Sequence, residues 1–411
     1  MTVVFLLYCM IQLRDGLLLR PHPAVWRVVH GAGLLYLLAL VFILVQSENN
    51  ARQFLTFFYP DLGKPPAAND LIYASDCRIY TPEQENHFAH VTSAWHDIFI
   101  AAHAFGWWAK MVMLRDWRLC WILGILWELL EYSFQHILPN FHECWWDHWL
   151  IDLMICNLAG MVLGMVTCRY LESFETPTRH HIKILVRRYD WTGASEGPAG
   201  IRTHLKRALA QFSPMRWTRY EWSVFSSVRR FFMVAMMIVM MEVVEMNGFF
   251  LKYVLWIPPA NPLNTMRLLL FCLLSIPALH EWYAYVVAFE KTQTRRLGKD
   301  MWLVIAIMGV EFAVCMKFGW RLFMVVPPTP VIWGWTLSAI LLLIWVALRF
   351  GMAPTLQSGK KKSPWRVTGM NLLFVVALLP LVWLIYTQDV GYGEVGRAIL
   401  ANQTALPHVG A

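Results

Sequence analysis

Long apolar blocks most constrain how this 411-residue chain can fold. About 20 apolar residues span a bilayer as a helix, in which every backbone polar group is bonded internally. Ten blocks approach this length, at 1–13, 26–47, 91–110, 119–137, 149–168, 231–250, 266–288, 301–318, 330–350 and 368–387. The first block lacks the features of a signal peptide, and we expect it to be a span that is incomplete in this chain. The blocks predict an all-α, polytopic integral membrane protein with about ten (nine or ten) transmembrane helices.

The loops between the blocks alternate in charge, which predicts the orientation of the chain. The loop at 48–89 has three Lys or Arg against six acids, and 138–148 has no Lys or Arg. The loop at 172–230 has eleven, and those at 289–300 and 351–367 are also basic. Because basic loops face the cytosol, we expect 138–148 on the lumenal face. This orientation accounts for the net charge of +8 without a nucleic-acid partner.

Carboxylates concentrate where the fourth and fifth blocks meet. Glu128 and Glu131 are three residues apart, so they share a helix face. An ionised side chain in mid-membrane costs about 2.5–3.5 kcal/mol even on the mildest scale. The loop and the next block add further carboxylates and amides: Asn140, Glu143, Asp147, Asp152 and Asn157. The blocks offer few cations to pair with them, since Lys110 and Arg169 lie at the far ends of their helices. The acids therefore predict a metal site or polar active site between central helices near the lumenal side.

The composition of this cluster suits a hard divalent cation. Calcium takes six to eight oxygen ligands, which carboxylates and amide carbonyls supply. His142, Cys144 and His148 favour zinc instead, but their spacing matches no usual zinc pattern. The eight cysteines include no CxxC pair, so neither a disulfide framework nor a structural zinc site is indicated. On an ideal α-helix Asp147 and Asp152 lie about 140° apart, so both can face one site only if Asp147 precedes the helix.

Two further polar groups lie inside the blocks. His103 is either a hydrogen-bonded structural residue or, beside the carboxylates, a group that holds or passes a proton near neutral pH. Glu242 and Glu245 form a second acidic pair, which either lines the same cavity and receives a cationic headgroup or packs helices together. A cation site beside a buried histidine suits reactions on the phosphodiesters of lipid headgroups.

Five stretches carry a family resemblance: RPHPAVWRVVHG (20–31), DIFIAAHAFGWW (97–108), LWELLEYSFQHILPNFHECWWDHWLIDLMICN (126–157), KRALAQFSPMRW (206–217) and FFLKYVLWIPP (249–259). In these stretches the chain resembles eukaryotic phosphatidylserine synthases of the base-exchange type. The resemblance covers roughly residues 15–350. The forms KYVLWIPP and RLGKDMWLV are more similar to the members that use phosphatidylethanolamine than to those that use phosphatidylcholine.

The resemblance implies a calcium-dependent transferase that crosses the endoplasmic reticulum membrane several times. L-serine would replace the ethanolamine headgroup of phosphatidylethanolamine, or the choline headgroup of phosphatidylcholine, and would give phosphatidylserine without a nucleotide. The implied partners are thus the phospholipid, L-serine and the bilayer, with a homodimer allowed.

The resemblance also implies which residues act. The positions that the family requires coincide here with His103, Glu128, Glu131, Asn140, Glu143, Asp147, Asp152 and Asn157. We expect calcium to be held against the phosphate by Glu128, Glu131, Glu143 and Asp147. His103, helped by Asp152, would activate the serine hydroxyl or take the phosphatidyl group itself. The expected substrate-binding residues are Asn140, Asn157 and Glu245.

The expected organisation is a single multi-span membrane domain over residues 1–411. Residues 88–171 would form the catalytic core helices, 172–230 a cytosolic basic loop, and 351–411 the last span and C-terminal tail. Within the basic loop, GIRTHLKRALAQF (200–212) has apolar residues at helical spacing with Arg and Lys opposite. This pattern is typical of a helix on the membrane surface; a loop packed against other loops is the alternative.

Three competing classes fit the sequence less well. CDP-alcohol phosphotransferases need a DGxxAR pattern, but Asp15 and Gly16 are followed by LLLR. Phospholipase D-like enzymes need HxKxxxxD, but Arg188 stands where the aspartate should follow His181 and Lys183. An ion-coupled transporter could use the same acids as a cation path, but we detect no paired half-repeats with broken helices of the transporter type.

Overall fold

The structure is a computed structural model that describes residues 2–16, 18, 22–60, 62–65, 77–83, 85–95, 98–173, 219–290, 296–351 and 364–390. All regular structure in these residues is helical, as predicted. The first helices are α1 (Thr2–Gln12), α2 (Pro23–Val45), α3 (Glu48–Thr56), α4 (Ala89–Trp95), α5 (Ile98–Leu114) and α6 (Trp117–Phe134). A 3₁₀ turn (Pro139–Phe141) and a π-helix (Asp147–Asn157) precede α7 (Leu158–Ser173). The remaining helices are α8 (Val228–Val254), α9 (Pro262–Glu290), α10 (Lys299–Phe318), α11 (Trp320–Phe323), α12 (Thr329–Gly351) and α13 (Pro364–Val390).

Each of the ten predicted blocks overlaps a helix. Six helical segments are long and apolar enough to cross a membrane: Pro23–Val45, Asp147–Leu171, Val228–Val254, Pro262–Phe289, Lys299–Phe318 and Thr329–Gly351. Thr2–Gln12 and Leu372–Thr387 are shorter apolar helices. Helix α5 has 17 residues, and α6 has 18 residues and carries the two central glutamates. The polytopic helical fold is therefore confirmed, whereas the count of about ten spans stays a prediction.

Two glycines let α7 pack closely against α5. A Cβ on Gly160 would lie 2.7 Å from Trp107 Cβ, and one on Gly164 would lie 2.6 Å from Met111 Cβ. Small residues four apart allow two membrane helices to approach closely, which strengthens their van der Waals packing. This contact fixes the position of α5 along its axis relative to the π-helix, which continues directly into α7.

A second group of helices is tied together by a buried ion pair. Arg267 of α9 makes two hydrogen bonds of 2.7 Å to the carboxylate of Glu311 in α10. Tyr36 of α2 donates a 2.6 Å hydrogen bond to the same carboxylate. The charge of this glutamate is thus compensated within the fold. Helices α2 and α8 also pack against α10, while α12 and α13 form a pair that contacts α6.

A disulfide joins Cys77 to Cys144, which the scattered cysteine spacing did not indicate. The loops at 48–89 and 138–148 that carry these residues were both predicted to be lumenal. Trp146 reinforces the contact by donating a 3.2 Å hydrogen bond to the Cys77 carbonyl. Disulfides persist in oxidising compartments and are rare in the cytosol, so this bond agrees with the orientation predicted from charge.

Some sequence-based predictions fall outside the described residues. These are the surface helix at 200–212, most of the basic loop at 172–230, and the tail that follows α13.

Candidate active site

The central acids and one amide share a face because the chain forms a π-helix there. Asp147, Asp152 and Asn157 are spaced by five residues and span this helix from its first to its last residue. A π-helix bonds each residue to the one five positions away, so residues at this spacing stack on successive turns. The condition that Asp147 must precede the helix is therefore wrong, since the change in helical period brings it onto the same face as Asp152.

His103 of α5 lies beside this face. Its Nε2 is 2.7 Å from Asn157 Oδ1, and the indole nitrogen of Trp107 lies 3.1 Å from the same atom. Its Nδ1 is 3.8 Å from Asp152 Oδ1. Among the described residues Nδ1 has no hydrogen-bond partner, and the side chain keeps 26% of its surface exposed. The ring is thus held through one nitrogen, while the other faces a carboxylate and stays accessible.

A buried histidine joins the carboxylates of the cluster. His148 Nδ1 lies 2.9 Å from Glu128 Oε2, 3.1 Å from Glu131 Oε2 and 3.9 Å from Glu143 Oε2. Tyr132 packs against the imidazole, with the ring centroids 4.6 Å apart. His148 and Glu128 are fully buried. The imidazole therefore fixes the orientation of carboxylates that come from α6 and from the following loop.

Charge balance in this cluster favours a bound cation. Three carboxylates meet one histidine, which carries at most one positive charge. In the described part of the chain, the ion-pair partners of these acids are histidines only. Glu128 Oε1 is buried and has no partner among the described residues. Glu128, Glu131 and His148 offer ligand atoms within 4.8 Å of one another, and together they form a buried group that can hold a metal ion.

The zinc set considered from sequence is not assembled. Cys144 is in a disulfide, so it has no thiolate to offer. His142 is buried, and this burial together with the charge of nearby His148 lowers the pKa of its imidazole. His148 does reach the carboxylates, through its Nδ1.

The other predicted ligands lie around the same centre. Glu143 lies in the loop, where burial and the charge of Glu131 raise the pKa of its carboxyl well above the usual value. Asp147 interacts electrostatically with Asp152 and His148. Asn140 lies in the 3₁₀ turn, and its Oδ1 is buried with no partner among the described residues.

Glu245 does not present a free carboxylate to a headgroup. Its Oε1 lies 2.6 Å from Lys110 Nζ of α5. Lys110 also packs over the Trp107 ring, 3.8 Å from its centroid. Lys110 was not expected to pair with the five central acids, and its ion-pair partner is instead Glu245 of the second acidic pair. Trp107 in turn contacts His103. The ion pair of Lys110 and Glu245 therefore helps to hold Trp107 in place beside His103.

Three features of the site were missed in the sequence. His148 was weighed only as a zinc ligand, Trp107 was not considered, and the pairing of Cys77 with Cys144 was not expected. The signal for His148 was present, since it lies 17 residues after Glu131, beyond a loop short enough to return the chain to the same end of α6. The fold and the site together define a multi-span membrane protein whose polar centre can hold a metal.

Comparisons with known proteins agree with this class. The profile of the family described as Phosphatidyl serine synthase matches residues 21–319. CDP-diacylglycerol--serine O-phosphatidyltransferase 2 of Oryza sativa subsp. japonica is 42% identical over 347 residues, which cover 84% of this chain and 78% of the relative. Phosphatidylserine synthase 2 of Homo sapiens is 37% identical over 348 residues, covering 85% and 68%. Phosphatidylserine synthase 1 of Danio rerio is 34% identical over 322 residues, covering 78% and 64%.

The chain therefore belongs to the phosphatidylserine synthase family, and the resemblance carried by its central motif is confirmed. It is a multi-span membrane phosphatidyltransferase that makes phosphatidylserine. The transporter hypothesis finds no support in these comparisons.

Proposed function

We propose that this enzyme makes phosphatidylserine by calcium-dependent base exchange, in which L-serine replaces the ethanolamine of phosphatidylethanolamine. The observation that carries the proposal is the position of His103, which faces Asp152 through Nδ1 at 3.8 Å and contacts Asn157 through Nε2 at 2.7 Å. This arrangement suits proton transfer beside a site that binds a phosphodiester.

The carboxylates Glu128, Glu131 and Glu143 are the proposed calcium ligands, with Asp147 as a further ligand from the π-helix. An all-carboxylate set suits calcium, and His148 orients two of these carboxylates through Nδ1. A divalent cation bound there would neutralise the phosphate oxygens and make the phosphorus easier to attack. The unpartnered Glu128 Oε1 and the excess of acids support this assignment.

His103 is the proposed general base. In the tautomer that carries its hydrogen on Nε2 and donates it to the Asn157 oxygen, Nδ1 is unprotonated and can accept the hydrogen of the serine hydroxyl; in this tautomer the Trp107 indole packs beside Nε2 without donating to it. The serine oxygen then bonds to phosphorus, and the bond from phosphorus to the ethanolamine oxygen breaks. The same imidazole returns its proton to the departing ethanolamine, so no proton is lost. Asp152 stabilises the imidazolium formed between these steps.

A nucleophilic role for His103 is the alternative within the same reaction. Nδ1 would then bond to phosphorus as the bond from phosphorus to the ethanolamine oxygen breaks, and the serine hydroxyl oxygen would later displace the imidazole from phosphorus. Incubation with labelled phosphatidylethanolamine in the absence of serine separates the two roles. A labelled protein that loses its label when serine is added would assign the nucleophile.

CDP-diacylglycerol is the competing donor, because the names of the plant relatives specify it. The DGxxAR pattern of the CDP-alcohol phosphotransferases is not met at Asp15 and Gly16, so we favour a phospholipid donor. The variants KYVLWIPP and RLGKDMWLV favour phosphatidylethanolamine over phosphatidylcholine. The endoplasmic reticulum membrane, with the site on its lumenal side, is the proposed location.

A donor assay tests the proposal. Purified protein in vesicles receives labelled serine with phosphatidylethanolamine, phosphatidylcholine or CDP-diacylglycerol, each with calcium or with a chelator. We expect labelled phosphatidylserine from phosphatidylethanolamine only when calcium is present. Product formed from CDP-diacylglycerol alone would overturn the exchange reaction and leave a nucleotide-dependent synthase.

A further inference from the structure

A second polar site lies beside the carboxylate cluster, between the end of α8 and the loop after α6. It is a pocket with mostly apolar walls, to which Asn140, Lys252 and Tyr253 contribute polar groups. The space between the lining residues, with the open mouth included, is about 350 Å³. Most of this space belongs to the open mouth and little of it is enclosed, so the pocket suits a small molecule held at its mouth better than a lipid.

One wall of the pocket is an aromatic ring that packs against residues next to the candidate metal ligands. The Phe249 ring packs against Phe141, with the centroids 4.9 Å apart, and against Trp127, with the centroids 5.2 Å apart. Asn140 directly precedes Phe141, and Trp127 directly precedes Glu128. A molecule in this pocket therefore lies next to the carboxylate cluster.

Lys252 brings a positive charge to this pocket. Its Nζ lies over the Phe249 ring, 3.8 Å from the centroid, and it interacts electrostatically with Glu131 and Glu143. Within the described residues Lys252 forms no ion pair, unlike Lys110, which pairs with Glu245. A desolvated ammonium group is costly unless it meets an anion, so Lys252 is suited to bind one.

Asn140 supplies a hydrogen-bond acceptor, whereas Lys252 supplies a donor. Its Oδ1 is a buried acceptor with no partner among the described residues, and it lines the same pocket as Lys252. An ammonium donor and an amide acceptor in one small pocket complement the two charged ends of an amino acid. The ammonium group of that amino acid would also be attracted by Glu143.

We infer that this pocket binds the acceptor L-serine, with Lys252 on its α-carboxylate and Asn140 on its α-ammonium group. The inference rests on the proposed exchange reaction and names the residue that selects serine. Ethanolamine differs from serine by the absence of the carboxylate, so Lys252 is the residue of this pocket lining that would distinguish the two alcohols. The lipid phosphate is the other anion within reach, but the carboxylate cluster with its cation already accounts for phosphate binding.

The test compares two acceptors with one donor lipid. Incorporation of labelled serine and of labelled ethanolamine into lipid is measured with the full chain in vesicles, for wild type, Lys252→Met and Lys252→Arg. We expect Lys252→Met to raise the KM for serine by about 10- to 100-fold, as expected for loss of a charged hydrogen bond. The KM for ethanolamine should stay unchanged, and Lys252→Arg should recover part of the serine affinity.

A control variant and a binding measurement complete the design. Arg321→Gln removes an exposed cation from α11, the short helix that follows α10, and should leave both acceptors unaffected. Asn140→Ala should weaken both acceptors, because both carry the ammonium group. Equilibrium binding of labelled serine to purified wild type and Lys252→Met does not depend on turnover.

The outcomes separate this inference from the proposed function. Equal losses for serine and ethanolamine in Lys252→Met would assign Lys252 to the lipid phosphate or to folding, and would overturn the inference. Unchanged serine kinetics and binding would also overturn it, although exchange by the wild type would then still stand. If the wild type binds serine through Lys252 but incorporates neither acceptor, the exchange reaction fails while the pocket assignment survives.

Discussion

Nε2 of His103 lies 2.7 Å from the amide oxygen of Asn157. The two residues come from different helices, and they meet because α7 packs tightly on α5 and the π-helix turns Asn157 toward the imidazole. The other nitrogen of the ring faces Asp152. The two ring nitrogens therefore have different neighbours, an amide oxygen at Nε2 and a carboxylate at Nδ1.

Removal of the proposed base should abolish turnover without loss of the fold. We expect His103→Gln to lower kcat by about 10²- to 10⁴-fold, the usual contribution of general acid–base catalysis. Asp152→Asn should also lower kcat, because the imidazolium loses its stabilising charge. The measurement is serine incorporation at saturating substrate, with calcium binding as a check on folding. Wild-type turnover in His103→Gln would exclude this histidine from the chemistry.

His148 should control the affinity for the cation rather than the chemical step. It positions Glu128 and Glu131 through Nδ1. Loss of such an orienting residue typically weakens metal binding about 10- to 100-fold, and we expect this loss for His148→Gln in calcium titrations. Excess calcium should restore activity. His136→Gln is the matched control, since His136 contacts only the Ser133 carbonyl among the hydrogen bonds described.

As the pH is lowered, calcium affinity should begin to fall at a pH above the ordinary pKa range of glutamate. Burial, and then the charge of Glu131, raise the pKa of the Glu143 carboxyl. Because calcium binds the ionised form, protons compete with it as the pH falls through that raised pKa, and affinity is fully present only above it. Calorimetric titrations at several pH values test this. An affinity that stays constant down to the usual glutamate pKa would contradict the assignment of Glu143 as a ligand.

The pair of Lys110 and Glu245 should behave as structural support. We expect Glu245→Leu to reduce activity, because it leaves the Lys110 ammonium uncompensated beside Trp107. The double variant that also carries Lys110→Met should recover activity, since it removes both charges at once. Serine incorporation by the two single variants and the double variant forms the cycle. If the double variant is as inactive as Glu245→Leu, the carboxylate acts on the substrate as the sequence suggested.

The contact between α5 and α7 should be intolerant of larger residues at Gly160. A Cβ there would meet Trp107 Cβ at 2.7 Å, and overpacking of this kind costs about 1–3 kcal/mol. We expect Gly160→Val to lower both Tm and kcat, since it displaces His103 from Asn157. Gly309→Val is the control, because a Cβ on Gly309 meets nothing within 4 Å. Equal effects of the two substitutions would mean that the close approach does not position the site.

Much of the architecture could be predicted because hydropathy and charge act locally. Helix positions follow from the apolar blocks, and the shared face of Glu128 and Glu131 follows from their spacing. The alignment of Asp147 with Asp152 did not follow, because a π-helix has no simple sequence signature. The contacts of Lys110 with Glu245 and of Cys77 with Cys144 depend on tertiary packing, which periodicity does not encode.

The stoichiometry of headgroup release tests the central claim most directly. Purified protein in vesicles of phosphatidylethanolamine labelled in its headgroup receives serine with calcium or with a chelator. We predict that one ethanolamine is released for each serine incorporated, and that chelation stops both processes. Incorporation of serine without release of ethanolamine, or exchange that continues in the chelator, would contradict calcium-dependent base exchange.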